Sequence, residues 1–198
     1  MKFENTEITG LKNAIIGMRL PMCKDMNEAI SKSDSNFNIN YIGENDLRLA
    51  ETLVKNGEPH CKFLRMIHVQ VAITAPLYFW KEADSYKVGT VANSTSTMHR
   101  IANYPIKKDC FECPEMIMDT TIEYLESLRV SYNETKNKEL WKNLIVNLPS
   151  GWLQIRMIDF NYSVIKRIYR DRKNHKLVEW HAFCDWVETL PYFNEFLK

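Results

Sequence analysis

Two segments that alternate in hydrophobicity, FLRMIHVQVAI at 63–73 and WLQIRMI at 152–158, lie far apart in the chain and constrain its fold more than any other feature. In the first, Phe63, Arg65, Ile67, Val69, Val71 and Ile73 alternate with Leu64, Met66, His68, Gln70 and Ala72. A period of two with β-branched residues on one side predicts a strand with one covered face. A short apolar run, NAIIGMR at 13–19, reads as a further buried strand, and the polar stretch 24–43 as a loop or a weakly held helix.

The covering elements read as helices. Asn45 or Glu44 opens one through LRLAETLVKN, with Leu47, Ala50, Leu53 and Val54 as its apolar stripe and Gly57 as its stop. Thr74, Ala75 and Pro76 look like a helix start leading into LYFWKEADSYK. Pro114 opens a helix to about Val130, residues 136–148 make another that Pro149 ends, and DFN leads into the basic helix YSVIKRIYRDR. A last helix lies in HKLVEWHAFCDWVETLP. The expected fold class is α+β, a twisted sheet with packed helices, as one domain over 1–198. With 45% hydrophobic and 26% charged residues, the chain has the composition for such a core.

A net charge of +1 gives no global pull toward nucleic acid or anionic membrane, so neither is an expected partner. The first residues, MKFENTEITG, lack an apolar signal core, and no run approaches the roughly 20 apolar residues of a membrane helix. The expected location is cytoplasmic. Five scattered cysteines read as reduced thiols; Cys110 and Cys113 form one CxxC without a second ligand pair at a recognisable spacing, so no metal is expected.

Between two apolar stretches, SYKVGTVANSTSTMH at 85–99 gathers seven hydroxyl residues, two basic side chains and one glycine. Such a stretch is either a solvated surface loop or a phosphate or nucleotide cradle of hydroxyls, backbone N–H groups and Lys87. A second cluster, Lys166, Arg167, Arg170, Arg172, Lys173 and Lys176, offers guanidinium forks suited to phosphate or a uracil-type carbonyl edge. It also suits a solvated helix C-terminus. Walker, GxGxxG, GxSxG and HExxH patterns are absent.

The order of elements resembles the flavin-dependent thymidylate synthase family, from about residue 45 to the end. That family's motif RHRxxSxNxxSxRY, matched without gaps from Ala75, meets Ser85, Tyr86, Lys87, Thr90, Thr95, Thr97 and Met98, none of them identical. Lys87 keeps a cation, Thr90 and Thr95 keep hydroxyls, and a shift of one residue puts Ser96 at the second serine. Glu82 stands at a family glutamine near the substrate. Further on, Leu148–Pro149 matches an LP step, Asn161 the asparagine of VNAR, and Arg172 the arginine that clasps the nucleotide. With one gap, His175 and Glu179 meet HAQWE instead and the arginine is Arg170 or Arg172; a second nucleotide arginine meets Ile145.

The resemblance implies a divergent phage or bacterial branch assembled as a homotetramer. It implies binding of FAD and a dUMP-like pyrimidine nucleotide and transfer of a one-carbon unit to pyrimidine C5, with NADPH and methylenetetrahydrofolate as co-substrates. Thr95, Ser96 and Arg172 are then the catalytic positions. Arg65, Tyr86, Lys87, Thr90 and Asn161 are those of the cofactor, and Glu82, Thr95, Arg170 and Arg172 those of the substrate. The alternative is a catalytically inactive nucleotide-binding or interaction protein on the same fold.

Overall fold

In the computed structural model, which describes all 198 residues, the two alternating segments pair with each other. The strands are β1 (Lys2–Thr9), β2 (His68–Pro76), β3 (Thr90–Ser94) and β4 (Leu153–Asn161), in the order β1-β2-β4-β3. The Tyr162 N–H donates to the Ile67 carbonyl at one end of the central pair and Leu77 N–H to the Trp152 carbonyl at the other. This register runs antiparallel. Nine α-helices complete the fold: α1 (Leu11–Arg19), α2 (Met26–Ser31), α3 (Glu44–Lys55), α4 (Leu77–Ala83), α5 (Thr97–Arg100), α6 (Asp119–Thr135), α7 (Lys138–Val146), α8 (Tyr162–Arg172) and α9 (Val178–Glu188). The expected mixture of sheet and helices is therefore found. No helix is long and apolar enough to cross a membrane.

Three local expectations are corrected. Residues 13–19 are helical: Ala14, Ile15 and Met18 are buried at helical spacing, and a short apolar run alone does not distinguish helix from strand. Strand β2 begins at His68, because Lys62–Met66 form a 3₁₀ turn. Phe63 and Leu64 are both buried, which a tight turn permits and a one-faced strand does not. The strand then continues through Pro76, so α4 starts one residue after the proline instead of on it. Strand β1 gave no sequence signal; Asn5, at φ 53°, interrupts its alternation, and Phe3 and Ile8 are its only half-buried residues.

The chain forms two compact units. The first comprises Met1–Phe3, Ala72–Ser85 and Ala92–Met157. Its core is Ile101, Ile106, Phe111, Leu125, Leu128 and Leu144, beneath the hairpin of α6 and α7. Lys136 at φ 53° ends α6, and the Asn137 side chain accepts from the Glu139 N–H to start α7. The second unit comprises Glu4–Val71, Tyr86–Val91 and Ile158–Lys198. Its core is aromatic: the rings of Phe63 and Tyr162 both pack against Phe196, and Phe183 lies against Phe160, Trp180 and Trp186.

A buried carboxylate organises the entry to the second unit. Asp46, fully buried on α3, accepts from the Arg19 guanidinium and from the hydroxyls of Ser33 and Ser35. Asp34 accepts from the N–H groups of Asn45 and Asp46, satisfying the first turn of α3. Removing one member of a buried ion pair strands the other in a dry site. Asp46→Ala is expected to lower the unfolding free energy by about 3 kcal/mol. Urea titration of the variant against the parent chain checks this, and an unchanged midpoint would show that Arg19 finds solvent.

Candidate functional site

The hydroxyl-rich segment divides into two parts with different roles. Its second half lines a cavity of about 570 Å³ in the first unit, together with Arg100, Tyr104, Cys110 and Trp152. None of the lining residues is acidic. Thr95 is stitched to β4: its N–H donates to the Ile155 carbonyl at 2.9 Å, and its carbonyl accepts from the Gln154 side chain at 2.9 Å. Ser96 caps α5, accepting from the His99 N–H, and its hydroxyl lies 2.7 Å from His99 Nδ1. The Arg100 guanidinium donates to the Tyr104 hydroxyl at 2.6 Å.

This wall of the cavity is tied down from behind. The Ala102 carbonyl accepts from Asn133 at 2.7 Å and from Arg129 at 3.3 Å, and the Ile106 N–H donates to Glu126 at 2.8 Å. The Arg129 guanidinium holds the Glu126 carboxyl below the usual carboxylate range, against the opposing effect of burial, and the Ile106 N–H adds to it. The Trp141 indole donates to the Met98 carbonyl at 3.1 Å. Burial pushes the Cys110 thiol up, and the charge of Asp109 acts in the same direction against a Lys107 N–H bond.

The first half of the segment is a lock inside the second unit. Tyr86 is 8% exposed and accepts from Arg172 Nε at 2.9 Å. The guanidinium of Arg172 lies 5.5 Å from the Tyr86 ring and 4.8 Å from that of Trp180, while Arg167 lies 5.2 Å from Tyr86. Two cations thus share one phenol ring. Thr90 donates its hydroxyl to the carbonyls of Tyr86 and Lys87. Asn161 caps α8 by accepting from the Val164 N–H at 3.0 Å and donates to the Gly89 carbonyl. Gly89, at φ 84°, lies so close that an added Cβ would stand 2.8 Å from Asn161 Nδ2 and 3.0 Å from Val164 Cγ2.

A second cavity, of about 690 Å³, also belongs to the second unit. Met18, Leu53, Phe63 and Met66 give it an apolar lining, and Lys32, His60 and Lys62 stand among its lining residues as basic groups. Arg65 occupies the same 3₁₀ turn as Phe63 and Met66.

No protein-family model matches the sequence, and no curated protein sequence is similar to it. Solved structures are similar in fold. The crystal structure of a flavin-dependent thymidylate synthase from Helicobacter pylori complexed with FAD and dUMP aligns at a TM-score of 0.73 and 15% identity, covering 100% of this chain and 97% of that one. The fold is that of a flavin-dependent thymidylate synthase. A UMP/dUMP methylase from Streptomyces cacaoi, bound with 5-Br dUMP, aligns at 0.64 and 11% identity over 99% of this chain and 96% of that one. The thymidylate synthase-like fold implied by the element order is thus present over the full chain.

On this thymidylate synthase-like fold the sequence-predicted residues fall into separate groups. Thr95 and Ser96 line the cavity of the first unit, and Glu82 lies half-buried on α4 of that unit. Arg172, Tyr86, Thr90 and Asn161 form the lock of the second unit, with Lys87 exposed beside them. Arg170 is exposed and turned onto Asp171, and Arg65 is exposed. Sequence reasoning did not single out Arg100 and Tyr104, which line the cavity. The signal was present in MHRIANY, where the two stand four apart, but an ungapped motif match stops at Met98.

Two expectations arise from this geometry. A raised thiol pKa leaves less thiolate near pH 8, so Cys110 is expected to alkylate more slowly there than cysteine in a short peptide of the same local sequence. The gap should close as pH rises through the thiol's own titration; site-resolved mass spectrometry of iodoacetamide labelling reads it. Gly89→Ala meets both a left-handed φ and the Asn161 side chain, and a loss of about 1–3 kcal/mol in unfolding free energy is expected from chemical denaturation.

Proposed function

We propose that the protein binds a flavin and a pyrimidine nucleotide and transfers a one-carbon unit to C5 of a uracil-type base. The observation that carries this reading is the hydroxyl-rich, acid-free cavity formed by the segment that the sequence resemblance singled out. Its support is a fold shared with proteins solved with FAD and dUMP or named as methylases of UMP and dUMP. Arg100 and His99 offer positive or donor groups to an anion, and the Trp152 indole offers a face for a base.

The second cavity suits a flavin in chemistry. Its apolar lining matches a ring system, and Lys32, His60 and Lys62, with Arg65 on the adjoining turn, match phosphates. When bound, the flavin supplies reducing equivalents, with NADPH and methylenetetrahydrofolate as the co-substrates of that chemistry. The protein's own residues bind, orient and bias charge. Carbon–carbon bond formation at C5 replaces a C5–H bond and requires an electron-rich ring, which donors near its carbonyls favour. A homotetramer is part of the proposal: Ile155 and Met157 of β4, 45% and 44% exposed, are residues that a second copy would cover. The five free thiols suit a reducing, cytoplasmic setting.

A second reading, nucleotide binding without catalysis, is favoured by the engagement of Arg172 with Tyr86 and Trp180. One series of measurements separates the two. Purified protein mixed with FAD and desalted is expected to retain the visible flavin band, to bind dUMP in calorimetry, and to release tritium from C5-labelled dUMP when folate and reductant are supplied. Flavin retention with dUMP binding but no tritium release would select the second reading. Retention of neither ligand would reject both.

A further inference from the structure

Among the residues lining the first unit's cavity, Arg100 is the single guanidinium, there is no lysine, and there is no carboxylate to repel an anion. Thr95 and Ser96 already use their polar groups on β4 and His99. The Thr97 hydroxyl is buried and makes no hydrogen bond within the chain. Arg172, the cation that the sequence favours, belongs to the second unit and is held by Tyr86.

We infer that Arg100, held in place by Tyr104, is the anion-recognising residue of this cavity and takes the phosphate of a nucleoside monophosphate. Two further features support the assignment. A single hydrogen bond to Tyr104 leaves most of the donors of the guanidinium fork available, and Arg100 ends α5 while Tyr104 stands in the bend that follows. The segment between them is pre-organised: Ile101 and Ala102 are buried, and the Ala102 carbonyl is gripped by Arg129 and Asn133 of α6. A ligand therefore meets a guanidinium whose backbone ordering is complete before binding. Trp152, packed edge-on to Phe111 at 5.4 Å, lines the same cavity as an aromatic surface for the base.

This inference rests on the nucleotide-binding reading, and its test keeps the two apart. Titration calorimetry is done with dUMP and with deoxyuridine, which lacks the phosphate, on the full chain and on Arg100→Ala, Arg100→Lys and Arg172→Ala. Arginine Nε–H NMR signals are followed with inorganic phosphate. The expected result is that Arg100→Ala weakens dUMP about ten- to a hundredfold and leaves deoxyuridine unchanged. Arg100→Lys should recover part of the loss, and Arg172→Ala should have a small effect. Equal dUMP affinity in the parent and Arg100→Ala would overturn the inference while leaving the nucleotide reading standing. If the parent binds no dUMP, that reading and the nucleoside monophosphate assignment fall together; a phosphate shift of the Arg100 signal would then retain only its anion recognition, and no shift would overturn that as well.

Discussion

Everything in this molecule hangs from the antiparallel pairing of β2 and β4. Each strand hands its chain directly to a helix, β2 to α4 and β4 to α8, so the register of one pair sets where both helices begin. The outer side of β4 then receives β3, and the segments flanking β3 are the ones that carry the polar chemistry. Thr95 is held against Ile155 at one end of β3, and Gly89 against Asn161 at the other. A slip of one residue in this register would turn each side chain to the opposite face and dissolve both arrangements. Burial enforces it: Val69, Val71, Ile73 and Ala75 are all inaccessible on one face of β2.

Much of this was legible because period and punctuation agree. The stripe of α3, the helix α7 before Pro149 and the basic α8 each combine apolar spacing with a cap or breaker, and each is found within two residues of its expected limits, whereas α6 is displaced by five residues because Pro114–Met116 form a separate 3₁₀ turn. Where the signals conflict, tertiary packing decides. Residues 13–19 contain adjacent isoleucines that favour strand, yet Gly10 turns the chain from β1 and the buried positions Ala14, Ile15 and Met18 follow helical spacing. Strand β1 was invisible because Asn5 breaks its alternation and most of its residues face solvent.

The candidate site was legible in location more than in detail. The segment 85–99 stood out by composition, but composition cannot distinguish hydroxyls that serve the backbone from those that face a cavity. Thr90 serves the backbone and Tyr86 serves two arginines, so that half makes its contacts within the chain. Ser94 to Thr97 lie on the cavity, and the cation and phenol that line it with them come from the end of α5 and the bend after it, beyond the motif's end. The chemistry is distributed by local geometry that linear spacing does not encode.

The union of Tyr86 with Arg172 also acts as a toll on any competitor for that guanidinium. A ligand that needs Arg172 in another pose binds only the fraction of molecules in which the lock is open, and its apparent affinity falls by that fraction. The hydrogen bond to Tyr86 and the packing of the guanidinium on the Trp180 ring both favour the closed form. A tyrosine at this position therefore works as a built-in tenant. It tunes how strongly an outside anion must bind to claim the arginine, without changing the arginine itself.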